Sequence, residues 1–137
     1  MAYRLSVAAS GSWTPTLTGG TAAGSTTYTT QAGTYSLLGN ILIATFNIVI
    51  TGATGTGDAR IGNLPFTIKV GTTDFVAPLL CSSASWSWPA STTDIQALGV
   101  AGNAYVTPMC FASGIASSAL QMTNAAFTIQ GTLQYQV

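Results

Sequence analysis

The sequence predicts an all-β protein, an antiparallel β-sandwich of jelly-roll type. Three observations carry that expectation. No stretch sets apolar residues at helical spacing between capping signals. Gly, Pro and clusters of Thr and Ser punctuate all 137 residues. Between them lie short runs rich in Val, Ile, Thr, Tyr and Phe, several with strict apolar/polar alternation, which is the pattern of half-buried strands.

Residues 1–12 read as an extended N-terminal arm and 13–137 as one domain, since a chain of this length supports one core. Strands are expected at 12–18 and 26–31, joined by GGTAAGS, whose small residues suit a flexible connection. A turn at Ala32 and Gly33 should precede a strand at 35–38. The run at 41–51 alternates, with Leu42, Ala44, Phe46, Ile48 and Ile50 on the face expected to form the core. TGATGTGDA then reads as an exposed loop; it lacks the GxxxxGK[ST] pattern and a following helix, so it is not a phosphate cradle.

Short strands should continue at 60–61, 66–70, 75–80, 83–88, 95–100 and 104–111, with Pro65 and Pro78 at strand ends or edges. Asp94 could cap a single helical turn over 93–98. The last strand, 125–137, alternates Phe127, Ile129, Gly131, Leu133 and Tyr135 against Thr128, Gln130, Thr132, Gln134 and Gln136, as in a sheet with one wet face.

Charge is scarce. Charged residues make up 4% of the chain and the formal net charge is zero, against about 25% charged residues in an average globular protein. With 47% hydrophobic residues, disorder is the weaker reading. The longest apolar run is interrupted by Gly39, Asn40, Thr45 and Asn47, too often for a membrane span, so no membrane insertion is expected. The N-terminus shows no continuous apolar signal segment. Three cations cannot neutralise a run of phosphates, so no nucleic-acid partner is expected. A neutral surface of Thr, Ser, Gly, Gln and Asn favours association with neighbours.

Catalytic chemistry is equally thin. Histidine and glutamate are absent, which removes the triads built on His and the usual zinc ligand set. Asp58, Asp74 and Asp94 are isolated in sequence; a glycosidase would need two of them within a few ångströms, and solvated turn carboxylates are the simpler reading. Asp58 alone would hold calcium weakly. The chain is therefore read as non-enzymatic, with no cofactor. Cys81 and Cys110 read as buried reduced thiols rather than a disulfide. Trp86 and Trp88, at strand spacing, and Tyr105 form the candidate contact for a partner or glycan; filling a core or a subunit contact is the competing role.

Several residues carry a resemblance. SWTPTLTG, TTYTTQAGTYSLLGN and GTGDARIGNLPF supply Trp13, Thr14, Pro15, Tyr28, Gln31, Gly33, Tyr35, Gly39, Ile61, Gly62, Leu64, Pro65 and Phe66. Over its first half the chain resembles a β-rich module of phage tail fibre tips and small phage virion proteins. In that module these positions look structural: Tyr28, Gly33 and Tyr35 would make a turn, and Leu64 and Phe66 would flank Pro65 as core anchors. The resemblance implies a compact jelly-roll domain packed as a homotrimer.

In fibres such a module follows a trimeric stalk, whereas about a dozen residues precede Trp13 here. The expected role is then a capsid decoration, or cement, protein bridging major capsid protein subunits on the outside of the virion. Tyr3, Arg4 and Leu5 would lie in a capsid-binding arm able to add to a neighbour's sheet. The alternative is a tail-fibre adhesin in which Trp86, Trp88 and Tyr105 hold a host surface glycan.

Overall fold

A computed structural model describes residues 9–83 and 85–137. These residues form ten strands and no helix: β1 (Ala9–Trp13), β2 (Thr16–Gly19), β3 (Thr26–Leu38), β4 (Ile41–Ala53), β5 (Ala59–Gly62), β6 (Phe75–Ser82), β7 (Asp94–Gly99), β8 (Val106–Ala112), β9 (Ile115–Ala119) and β10 (Phe127–Gln136). The sheet order is β1-β3-β4-β10-β6-β7-β8-β5-β2, with β9 beside β8. Every pairing is antiparallel. The result is one curled sheet, a half-barrel. Jelly-roll connectivity, with its two Greek keys, is a finer description than this order carries.

The bend falls in β6. Residues 75–78 pair with β7 and residues 79–82 pair with β10. Pro78, which has no N–H to donate, stands where β6 changes partner, a position that spares the ladder.

β3 and β4 make a hairpin of 13 residues on each side. Its two-residue connection, Gly39-Asn40, has a φ of +62° at Gly39, which suits the twist of the flanking strands. The turn expected at Ala32 and Gly33 does not form, and β3 runs straight through it. Gly33 serves a different purpose: a Cβ there would collide with the Trp13 indole at Nε1. That indole donates to Thr45 O at 3.0 Å and meets Phe46 edge-on, with centroids 6.3 Å apart. Of the other motif residues, Pro15 O accepts a hydrogen bond from Gln31 Nε2 and Leu64 is buried. Phe66 is 36% exposed rather than a core anchor; it covers Tyr35 edge-on at 5.7 Å.

Alternation in the long strands builds the core. Leu42, Ala44, Phe46, Ile48 and Ile50 of β4, with Phe127, Ile129, Leu133 and Tyr135 of β10, are at most 4% exposed. Leu17, Ile61 and Val106 close the cluster from the other wall. Full burial of one such aliphatic or aromatic side chain contributes about 1.5–3 kcal/mol.

Elsewhere tertiary packing overrides local pattern. The strand expected at 12–18 breaks at Thr14 and Pro15 into β1 and β2. Residues 9–12, assigned from sequence to the arm, already belong to β1. Residues 66–70 form no strand. Ile68 is instead clasped in a loop, its N–H donating to Asn103 O and its carbonyl accepting from Gly102 N, both at 2.9 Å. Asp94 opens β7 rather than a helical turn. β9, IASSA, is almost wholly exposed and carries no alternation that sequence reasoning could have used.

The two glycine-rich segments are not independent loops. Thr21 N donates to Thr56 O at 3.0 Å, Thr56 N to Ala22 O at 2.9 Å, and Gly20 N to Asp58 O at 2.8 Å. Gly24, with φ +70°, lies so close to Gly55 that a Cβ would run into the Gly55 backbone nitrogen. GGTAAGS and TGATGTGDA therefore interlock backbone to backbone, and at Gly24 and Gly55 they approach more closely than a side chain would allow.

Candidate interaction surfaces

Trp86 and Trp88 do not alternate along a strand. They lie in the irregular stretch between β6 and β7, where Ser83 Oγ accepts from Trp86 N at 2.9 Å and ties the segment down. Trp86 is 4% exposed and stacks on Phe127, with centroids 4.3 Å apart. Its role is in the core. Trp88 is half-buried, tilted against the same ring at 5.8 Å.

Trp88 stands between two open hollows. One, of about 300 Å³, is shared with Leu80, Cys81, Thr92 and Asp94. The other, of about 360 Å³, is shared with Pro89, Gln121 and Met122. Tyr105 does not join the tryptophans. It lies beside β8 with the Arg60 guanidinium 4.4 Å above its ring, a cation–π contact that covers one face of the ring.

The aspartates are engaged separately. Asp58 Oδ1 accepts from Gln121 Nε2 at 2.6 Å, Asp74 Oδ1 accepts from Ala101 N, and Asp94 accepts from Ile95 N and Gln96 Nε2. Asp74 precedes Phe75, which pairs with Gly99 at the far end of β7 from Asp94. At about 3.3 Å per residue this separates Asp74 and Asp94 by about 20 Å, beyond the roughly 5–9.5 Å of a glycosidase pair. Among the described residues, no group of three or more Cys, Asp, Glu or His could hold a metal ion.

Cys81 and Cys110 are free thiols. Burial, with the neighbouring Cys110, pushes Cys81 up to about 12. Burial also raises Cys110, against a hydrogen bond from the Thr92 side chain that lowers it. Protonated thiols in an apolar setting are poor nucleophiles.

Charge is distributed unevenly over the sheet. No residue of β1, β3, β4 or β10 is charged. Arg60, Lys69, Asp58, Asp74 and Asp94 all belong to β5, β7 or connecting segments. The outer face of the uncharged strands carries Thr34, Thr45, Asn47, Gln130 and Thr132. Thr34 and Thr45 hydroxyls bond at 2.8 Å, and the buried Oδ1 of Asn47 has no partner among the described residues. On the adjoining β6, Val76 and Leu80 are 60% and 63% exposed, with Pro78 between them. Sequence reading does not single out this apolar ridge, although the even-numbered residues 76–82 share one face by strand periodicity.

The two ends of the strand order, β2 and β1, also differ. At β2, Leu17 N donates to Tyr28 Oη at 2.8 Å, and Leu17 O accepts from Thr26 Oγ1 at 2.7 Å. Side chains of β3 thus cap that edge. No hydrogen bond joins the outward edge of β1 to another described residue. Tyr3, Arg4 and Leu5 lie outside the described residues.

No family model, curated protein or solved structure matches this chain.

Proposed function

We propose that this chain is a non-enzymatic structural protein of a bacteriophage particle: a homotrimeric decoration, or cement, protein on the outer face of the head that bridges major capsid protein subunits. The observation that carries the reading is the uncharged sheet of β1, β3, β4 and β10 beside the exposed Val76–Pro78–Leu80 ridge. A neutral surface with apolar ridges suits permanent burial against neighbours more than life as a free monomer. The aspartates, each held by its own hydrogen-bond partner, with Asp74 and Asp94 at opposite ends of β7, are consistent with a structural role. A jelly-roll-type sandwich packed about a threefold axis belongs to the same proposal, supported by the antiparallel curled sheet with one buried and one polar face.

Imaging of intact particles tests it. Hundreds of copies in threefold clusters over the head are expected; a few copies confined to the tail would overturn the cement reading. Those few copies would favour the second reading, a glycan-binding adhesin, for which half-buried Trp88 between its two hollows is the relevant observation. In that case Trp88→Ala should abolish binding to host cells without loss of folding.

A further inference from the structure

We infer that the open edge of β9 pairs with the open edge of β1 of a second copy, so that copies of this chain join head to tail through one continuous antiparallel sheet. The inference rests on the self-assembly reading above and names the two surfaces that carry it.

An unpaired strand exposes a row of N–H and C=O groups, and proteins ordinarily protect it with charge, proline, a bulge or a cover. β2 has such a cover in Tyr28 and Thr26. β1, ASGSW, and β9, IASSA, hold neither charge nor proline, and the register of β1 with β3 is unbroken from Ala9↔Leu37 to Trp13↔Gly33. β9 has one register shift, opposite Cys110–Ala112, and nothing else to blunt it. Among the described residues, its one hydrogen bond outside the ladder with β8 runs from Gln121 Nε2 to Ala119 O, at 3.3 Å. Ile115 is left 59% exposed on this strand, an apolar side chain that a facing strand covers.

Strand direction selects the partner. Seven antiparallel pairings separate β1 from β9 along β1-β3-β4-β10-β6-β7-β8-β9, so the two edges run in opposite directions. A rotation about an axis lying along the strands brings β1 of the next copy into place with its direction kept, and it then meets β9 antiparallel. Such a join is heterologous, and it closes into a ring when the rotation allows, as a homotrimer requires. Other pairings of the edges fit less well. β1 against β1, or β9 against β9, is antiparallel only across a two-fold axis and by itself makes a dimer. β2 lies eight pairings from β1 and runs the same way, so it would meet β1 as a parallel ladder, the less stable form.

Length and chemistry match as well. Each edge is five residues long, and with no charge in either strand no ion has to be stripped of water when the two meet. Ser10, Gly11 and Ser12 of β1 and residues 115–118 of β9 are exposed, and apart from Ile115 they are small. Main-chain hydrogen bonds then supply the affinity, as in other strand additions. In a closed ring every β1 and β9 edge is paired, so the contact removes both unguarded edges of each copy at once.

The test compares the unaltered chain with two double variants at micromolar concentration, Ser10→Lys/Ser12→Lys on β1 and Ile115→Lys/Ser117→Lys on β9, all at exposed positions. Sedimentation velocity should give a trimer for the unaltered chain and a monomer for each variant, with unchanged far-ultraviolet circular dichroism showing that both still fold. An equimolar mixture of the two variants should form a dimer and stop there, because one supplies an intact β9 and the other an intact β1. Amide exchange in the unaltered chain checks the same contact without substitution. The outward amides of residues 9–13 and 115–119 should slow by at least about tenfold from dilute to concentrated samples, with residues 16–19 unchanged. Folded variants that assemble as the unaltered chain does, a mixture that stays monomeric, an unaltered chain that stops at a dimer, or protection confined to other segments overturns the edge assignment and leaves self-assembly standing. An unaltered chain that is monomeric overturns both.

Discussion

The two walls of the half-barrel are built differently. β3, β4 and β10 are 13, 13 and 10 residues long and uncharged, and they pair over nearly their whole length. The opposite wall uses strands of 4 to 8 residues, and every described charge lies in it or in the loops that join it. The long wall holds itself together by ladder and core. The short wall depends on loops: Ile68 clasped by residues 102–103, Trp86 folded onto Phe127, and the two glycine segments locked together.

That contrast is sharpest under core truncation. Leu133 is fully buried in the long wall, and Leu133→Ala should cost about 2–5 kcal/mol, the range for opening a cavity in a tight core. Equilibrium urea unfolding checks it. A cost near 1 kcal/mol would mean that the long wall relaxes about as readily as a loop, and the comparison would break.

In the short wall the most sensitive point is backbone rather than side chain. Gly24 combines a φ of +70° with a Gly55 nitrogen standing where a methyl group would have to go. Gly24→Ala should cost about 1–3 kcal/mol from the strained backbone, and should raise amide exchange at Thr21 and Thr56 ahead of the β4–β10 ladder. Simultaneous loss of protection in both walls would show that they unfold as one unit with no local seam.

Legibility from the sequence follows the same division. The faces of β4 and β10 can be read because their apolar and polar residues alternate over many positions, and both faces are where alternation places them. The strands expected at 66–70 and 83–88 fail because short apolar or aromatic runs fit a clasped loop as well as a ladder. Ile68 and Trp86 are held by distant partners, Asn103 and Phe127, that no local window contains. Gly33 suggests a turn because glycine's usual meaning is conformational, whereas here it makes room for Trp13. The same limit applies to the surfaces: Tyr28 looks structural in the sequence, but its hydroxyl on the β2 edge is visible only once the sheet has curled.

Tyr28→Phe isolates that edge. The hydroxyl accepts from Leu17 N at 2.8 Å, and removing it leaves an edge amide to solvent or to a neighbour, at a cost of about 0.5–1.5 kcal/mol. The variant should also associate more readily at high concentration, since the β2 edge would then resemble the β1 edge. Light scattering against concentration measures this, and no change would mean that Thr26 alone suffices to close the edge.

The smallest effect should come from the charges themselves. Asp58 is exposed and bonded through Oδ1 to Gln121 Nε2, so Asp58→Asn keeps an acceptor in place and changes only the charge. Surface changes of this kind lie within about ±0.5 kcal/mol, and the unfolding midpoint should hardly move, at low or high salt. That result would show that the short wall carries its charges without depending on them, so the absence of charge in the long wall reflects what that wall faces rather than what holds it together. A loss of about 2 kcal/mol or more by the same measurement would place Asp58 and Gln121 among the ties of the short wall, and the difference between the walls would then be electrostatic as well as geometric.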